Sequence, residues 1–264
     1  MRILFIGDVV GQLGRKMIHT YLPTLKKELK PQVTIVNGEN AASGRGITEK
    51  IYKELLNAGA DVITLGNHAF DNRQVFEFID GAKKLVRPKN YPIQIGQGLV
   101  KVKVNHQTLA VVNLQGRTFM PPIDDPFLCL EKTLAELKEE TSLIFVDFHA
   151  EATSEKQALA HAFSGQVSAI CGTHTHVQTN DATILPQGTA YLTDVGMTGP
   201  KDSILGMQKE AVIKKFRTSL PQRFEVMTEG DGILNYAVID LDDKTGKATK
   251  IHADHMIHRG NYYG

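Results

Sequence analysis

Cys171-Gly172-Thr173-His174-Thr175-His176 places two histidines, one residue apart, directly after the apolar run 167–171. The run reads as a buried strand, with Gly172 as the turn at its end. If His174 and His176 stay extended, both imidazoles point to the same side, because strand side chains alternate with period two. Two imidazoles on one face at the mouth of a sheet suit a pair of metal positions. Two exposed loop histidines would give the same motif, so the rest of the chain must decide.

Working outward, the same arrangement recurs. Apolar strands at 3–6, 33–36, 61–65 and 143–148 run into Gly7-Asp8, Gly38-Glu39-Asn40, Gly66-Asn67-His68 and His149. Helical patterns at 14–29, 51–58, 127–140 and 154–162 separate them, with Thr48 as an N-cap. A shorter helix is expected over 73–79 and another over 205–216. Residues 98–104 alternate and return through 109–114 as an antiparallel pair. Residues 194–200 read as a loop, and 223–227, 233–241 and 248–257 as strands. This order predicts an α/β protein with two sheets packed face to face and helices outside. In a mostly parallel sheet the carboxyl ends of the strands share one edge, where ligands bind. Asp8, Glu39, Asn40, Asn67, His68, His149, His174 and His176 are therefore expected to converge.

Composition is consistent with one soluble domain over residues 1–264, with 42% hydrophobic and 22% charged residues. The formal net charge of +1 gives no electrostatic argument for an RNA, a membrane or an acidic protein as partner. Two distant cysteines, Cys129 and Cys171, form no C-x-x-C pair and point to the reducing cytoplasm. The first residues read as a strand rather than a signal peptide, and no apolar stretch is long enough to span a membrane.

Carboxylate, amide oxygen and imidazole, without thiolate, suit manganese, iron, cobalt or zinc. The number of donors favours two ions, about 3.5–4 Å apart, able to hold a hydroxide and clamp a phosphoryl group. The five blocks resemble the signature of calcineurin-like metallophosphoesterases. Val10, Glu39, Ala69 and Thr173 depart from the usual pattern. With the stretches 36–42, 113–118, 147–156 and 193–200, those departures resemble the bacterial YmdB-type subfamily.

The resemblance implies a four-layer α/β/β/α sandwich of two mixed sheets and a dinuclear centre of iron or manganese, with zinc as a further choice. One ion would be held by Asp8, Glu39 and His176, with Asn40 in place of the absent first-block histidine. The other would be held by Glu39, Asn67, His149 and His174. Glu39 would bridge, and His68 would be the proton donor. The implied substrates are 2′,3′- and 3′,5′-cyclic nucleotides, and a homo-oligomer is expected.

Arg117 is a weaker candidate for the substrate phosphate. Glu151, Glu155 and Lys156 are candidates to orient His149, and Asp194 to support a ligand histidine. His252, His255 and His258 form a weaker metal candidate. Rival readings are a phosphomonoesterase on the same centre and a nucleotide-binding regulator with incidental hydrolysis. A third is a dinucleotide site at Gly7–Gly14, whose glycine spacing is wrong and which leaves the histidines unexplained.

Overall fold

Strands buried on both faces need cover on both, and two sheets with helices outside supply it. The computed structural model describes residues 1–260. β1 (Arg2–Ile6) and β2 (Asp8–Val9) lead into α1 (Gly11–Leu29). β3 (Val33–Asn37), α2 (Glu49–Asn57), β4 (Val62–Thr64), α3 (Val75–Phe78) and β5 (Leu85–Val86) continue the alternation. β6 (Leu99–Val104) and β7 (Gln107–Gln115) form a hairpin, followed by α4 (Pro126–Leu137), β8 (Leu143–His149), α5 (Thr153–Ala162) and β9 (Ala169–Thr173). β10 (Thr183–Ile184), β11 (Ala190–Leu192) and β12 (Met197–Pro200) precede α6 (Lys209–Thr218). The long hairpin of β13 (Gly232–Leu241) and β14 (Ala248–His258) comes last.

One sheet has the order β2-β12-β13-β1-β3-β4-β5, with β14 also paired to β13; the other runs β10-β11-β9-β8-β7-β6. β1, β3, β4 and β5 are parallel, and so are β7, β8, β9 and β11. Antiparallel pairs of β1 with β13, of β6 with β7 and of β10 with β11 make both sheets mixed. Each sheet therefore gathers the carboxyl ends of its parallel strands along one edge.

Alternation sorts the side chains into three apolar layers. Ile3 and Phe5 of β1 face the second sheet, while Leu4 and Ile6 pack with Ile18 and Leu22 of α1. In β8, Leu143 and Phe145 face inward, and Ile144, Val146 and Phe148 pack outward with Leu130 and Leu159. Phe5 and Phe145 meet edge to face across the sheets, centroids 4.9 Å apart. The expected four-layer α/β/β/α sandwich is thus the observed one.

Local expectations fare unevenly. Thr48 caps α2, its hydroxyl accepting from Ile51 N–H at 3.3 Å. The antiparallel pair turns at Asn105, in the left-handed region at φ 55°. The helix expected from residue 205 begins at Lys209, because Leu205 is itself left-handed at φ 52°. Residues 223–227 form only an isolated bridge, Val226 to Met207. Residues 197–200, read as loop, are strand β12, paired with β2 and β13.

The strand before the two histidines also shifts, from 167–171 to Ala169–Thr173, with Gly172 inside it. A Cβ at Gly172 would sit 1.8 Å from the Thr193 carbonyl oxygen. The glycine is there for close strand approach, not for the turn. Gly172→Ala is expected to cost at least the ~1–3 kcal/mol of an overpacked core, read as a lowered urea midpoint. An unchanged midpoint would show that the two strands have room to part.

Candidate metal centre

His149 ends β8 and is fully buried. Its Nδ1 lies 2.9 Å from the Thr173 hydroxyl, which donates its own proton to Asp147 Oδ1 at 2.7 Å. The hydroxyl must therefore accept from His149 Nδ1–H, which leaves Nε2 facing the site. Around that Nε2 stand Asn67 Oδ1 at 2.9 Å, Glu39 Oε1 at 3.0 Å and His174 Nδ1 at 3.1 Å. Glu39, His149 and His174 each offer a ligand atom within 4.8 Å of the others.

The remaining expected residues close around this cluster. Asp8 is fully buried; its Oδ2 accepts from His174 N–H at 3.2 Å, and its Oδ1 finds no hydrogen-bond partner among the described residues. Glu39 Oε2 accepts from His68 N–H at 3.1 Å. Asn40 Oδ1 lies 3.3 Å from His176 Nε2, whose Nδ1 donates to the Leu205 carbonyl at 3.0 Å. The His68 Nδ1 faces Asp71 Oδ2 at 2.8 Å, turning Nε2 towards Asn67.

Such a cluster of acceptors needs positive charge. Burial lifts Asp8 to about 7, against the pull of His176 and His149. Burial would also raise Glu39, but the charge and hydrogen bond of His149 hold it down to about 2. Burial disfavours charge on His149, yet the carboxylates of Glu39, Asp8 and Asp147 hold its imidazole up to about 9. Burial, then His149, pushes His174 down to about 3. A proton on His149 thus fills the role a cation would fill. The donor set suits a divalent metal, and the orphaned Asp8 oxygen leaves a further coordination point.

Comparison with known proteins places the chain in a family. The model of the YmdB-like protein family matches residues 4–253. The chain belongs to the YmdB-like family. It is 58% identical over 263 residues to the 2′,3′-cyclic-nucleotide 2′-phosphodiesterase of Bacillus subtilis (strain 168), covering 97% of this chain and 99% of that one. A solved hypothetical protein from Thermus thermophilus superposes with TM-score 0.91 at 41% identity, covering 97% and 99% of the two chains. The crystal structure of a novel phosphatase from Mycoplasma pneumoniae superposes with TM-score 0.93 at 37% identity, over 99% of this chain and 95% of that one. Metallophosphoesterase membership implies divalent metal ions, in keeping with the donors described.

In this YmdB-like chain the two histidines of the H-x-H are not extended. His174 and His176 sit at φ 102° and 65°, and the imidazoles turn to different ends of the cluster. Val10, where the wider family has a histidine, is buried against Gly199 and Gly206. Gly7 belongs to the packing, since a Cβ there would meet the Gly196 carbonyl oxygen at 1.8 Å. That absorbs the dinucleotide pattern, and Asp8 points inward. The Arg117 guanidinium is paired with Asp125 at 2.8 Å. On β14, His255 faces opposite to His252 and His258, so these three form no cluster.

The supporting residues also differ from expectation. Glu151 reaches His174 Nε2 at 3.0 Å rather than His149. Thr173 and Asp147 orient His149, a role readable only in the D-x-H alternation of β8. Glu155 bonds the backbone of Arg117 and Thr118. Lys156 and Asp194 form a buried pair at 2.7 Å, and Asp194 Oδ2 accepts from Thr175 N–H at 3.0 Å, fixing the turn between the two histidines. Lys156→Met, which leaves Asp194 unpaired, is expected to cost about 3–5 kcal/mol, checked by chemical denaturation. A loss below about 1 kcal/mol would show that the pair does not hold this loop.

Proposed function

We propose that the chain is a metal-dependent phosphoric diester hydrolase that opens cyclic nucleotides, in 2′,3′ and 3′,5′ forms, at a dinuclear centre. The observation that carries this is the convergence of three atoms, Asn67 Oδ1, Glu39 Oε1 and His174 Nδ1, on the buried His149 Nε2, beside an orphaned Asp8 oxygen and with His68 at the rim. The Bacillus subtilis relative, named for 2′,3′-cyclic-nucleotide hydrolysis, supports the substrate class.

In this reading Glu39, Asn67, His149 and His174 hold one cation. Asp8, Glu39, Asn40 and His176 hold the other, with Glu39 shared. Divalent ions, when bound, acidify water and neutralise phosphate oxygens. Asp8 and Glu39 supply the negative charge that retains them. Thr173, Glu151 and the Leu205 carbonyl fix the imidazoles of His149, His174 and His176 so that each offers one lone pair. His68, its Nδ1 held by Asp71, delivers a proton from Nε2 to the departing ribose oxygen. Iron or manganese suits the donors, with zinc as a further choice. Because both sheets contribute ligands, residues 1–264 are read as one domain. The two free cysteines, Cys129 and Cys171, fit a cytoplasmic home. No helix among the described residues is long and apolar enough to cross a membrane. A homo-oligomer remains part of the reading.

The Mycoplasma pneumoniae neighbour is named a phosphatase, which favours a monoesterase as the second reading. Assays of 2′,3′-cyclic AMP against 2′- and 3′-AMP separate the two. Elemental analysis of wild type should give about two transition ions per chain, and Glu39→Gln should lose metal and more than ~100-fold in diesterase activity. A variant that keeps both would remove Glu39 from the centre.

His68→Ala should keep its metal and lose about 10²–10⁴-fold in kcat on 2′,3′-cyclic AMP. The loss should be small on bis-p-nitrophenyl phosphate, whose leaving group needs no proton. Equal losses on both substrates would mean that His68 does not act as the acid.

A further inference from the structure

Phe119 is 88% exposed, the largest exposure among the large apolar side chains of the described residues. Gln115, the last residue of β7, is in register with His149, and Gly116 N–H donates to the His149 carbonyl at 3.0 Å. Phe119 follows three residues later. Three residues span at most ~10 Å, so Phe119 stands on the loop that leaves the sheet edge where His149 ends β8.

The turn that presents the ring is strained. Met120 N–H donates to the Arg117 carbonyl at 3.2 Å, which puts Phe119 third in a four-residue turn, at φ 61°. That position favours glycine or asparagine, and a bulky side chain there costs free energy. The surroundings hold it in place. Glu155 accepts from Arg117 N–H at 2.9 Å and from Thr118 N–H at 3.1 Å. Arg117 pairs with Asp125, and Asn90 bonds the backbone of Gln115 and Asp124. Several side chains thus fix a turn whose aromatic residue gains almost no burial. Folding does not explain this, whereas presentation of a flat apolar ring to a ligand does.

The geometry points to Phe119 as a specificity-determining residue that stacks on the nucleobase while the phosphate sits at the metal centre. This rests on the nucleotide-hydrolase reading for its ligand class. A stack needs no hydrogen bond and tolerates any base, with purines favoured by their larger face. Arg117, committed to Asp125, plays no part.

The test uses manganese-loaded wild type, Phe119→Gly and Phe119→Trp. Glycine removes the ring and relieves the turn, so its melting temperature should equal or exceed that of wild type. Its KM for 2′,3′-cyclic AMP should rise about tenfold, with kcat kept. Kinetics on ethylene phosphate, a five-membered cyclic diester without a base, should not change. Phe119→Trp should restore the KM. Calorimetry of 3′-AMP and of inorganic phosphate gives a readout independent of turnover, and only 3′-AMP should weaken in the glycine variant. If wild type binds 3′-AMP through Phe119 but hydrolyses no cyclic nucleotide, the stacking role stands and the hydrolase reading falls. Hydrolysis with unchanged KM and unchanged 3′-AMP binding overturns the stacking role alone. So does a wild type that binds 3′-AMP no more tightly than phosphate. A glycine variant with altered mass in light scattering and intact base discrimination would assign Phe119 to a contact between copies instead.

Discussion

Two carboxylates and an imidazole, Asp8, Glu39 and His149, are almost completely excluded from solvent, and the structure is built around the consequence. Charge removed from water must be paired or neutralised, or it costs several kcal/mol, as an order of magnitude. Here the pairing is incomplete. His149 faces two acceptor oxygens through one nitrogen, and an Asp8 oxygen has no hydrogen-bond partner among the described residues. A cluster in that condition calls for a counter-charge, which a bound cation would supply. The strands that end there bring its members together.

The sheets divide the work. The first supplies Asp8 from the start of β2, and Glu39, Asn40, Asn67 and His68 from beyond the ends of β3 and β4. The second supplies His149 and His174 from β8 and β9. Between the sheets the contact is apolar, as at Phe5 and Phe145, until the strand ends are reached. There it turns polar in one step: Asn37 Nδ2 crosses to Asp147 Oδ2 at 3.0 Å, and Asp147 accepts from the Thr173 hydroxyl that orients His149. Burial raises Asp147 to about 6, against the His149 charge and the hydrogen bonds from Thr173 and Asn37 that favour its ionised form. The relation of one sheet to the other and the orientation of a candidate ligand therefore depend on the same hydrogen bonds.

Much of this was legible because each apolar run is short and ends in glycine or a polar residue. Asp8, Glu39, Asn67 and His149 could be placed from that punctuation alone, and the parallel order gave their convergence. The H-x-H was legible as a pair but not in its geometry. Period-two reasoning holds only while a strand continues, and β9 stops at Thr173, one residue short of His174. β12 was invisible because Met197–Pro200 has no periodic signal; its strand character comes from partners far away in sequence, β2 and β13. Glu151 could be named as a supporting residue, but which histidine it reaches depends on the turn at His174, which no local pattern encodes.

That turn belongs to a wider pattern. Eight non-glycine residues among those described have positive φ. Lys30 and Ser219 cap the carboxyl ends of α1 and α6, and Asn105 makes a hairpin turn, all ordinary uses of the left-handed region. The other five are Ser43, Phe119, His174, His176 and Leu205. His174 and His176 carry candidate ligand nitrogens, and the Leu205 carbonyl orients one of them. Ser43 lies in the loop that Asn40 closes by donating to the Gly44 carbonyl at 3.0 Å. Phe119 stands in the loop that follows Gln115 of β7, beside the end of β8 at His149. Every positive φ without an ordinary role in chain reversal or capping therefore lies in a segment that touches the candidate centre. Strain of this kind persists only where surrounding contacts over-determine it, and at His174, His176 and Leu205 those contacts are the hydrogen bonds of the site itself. The backbone thus marks the same region as the buried charges, by an argument that uses neither titration nor family resemblance.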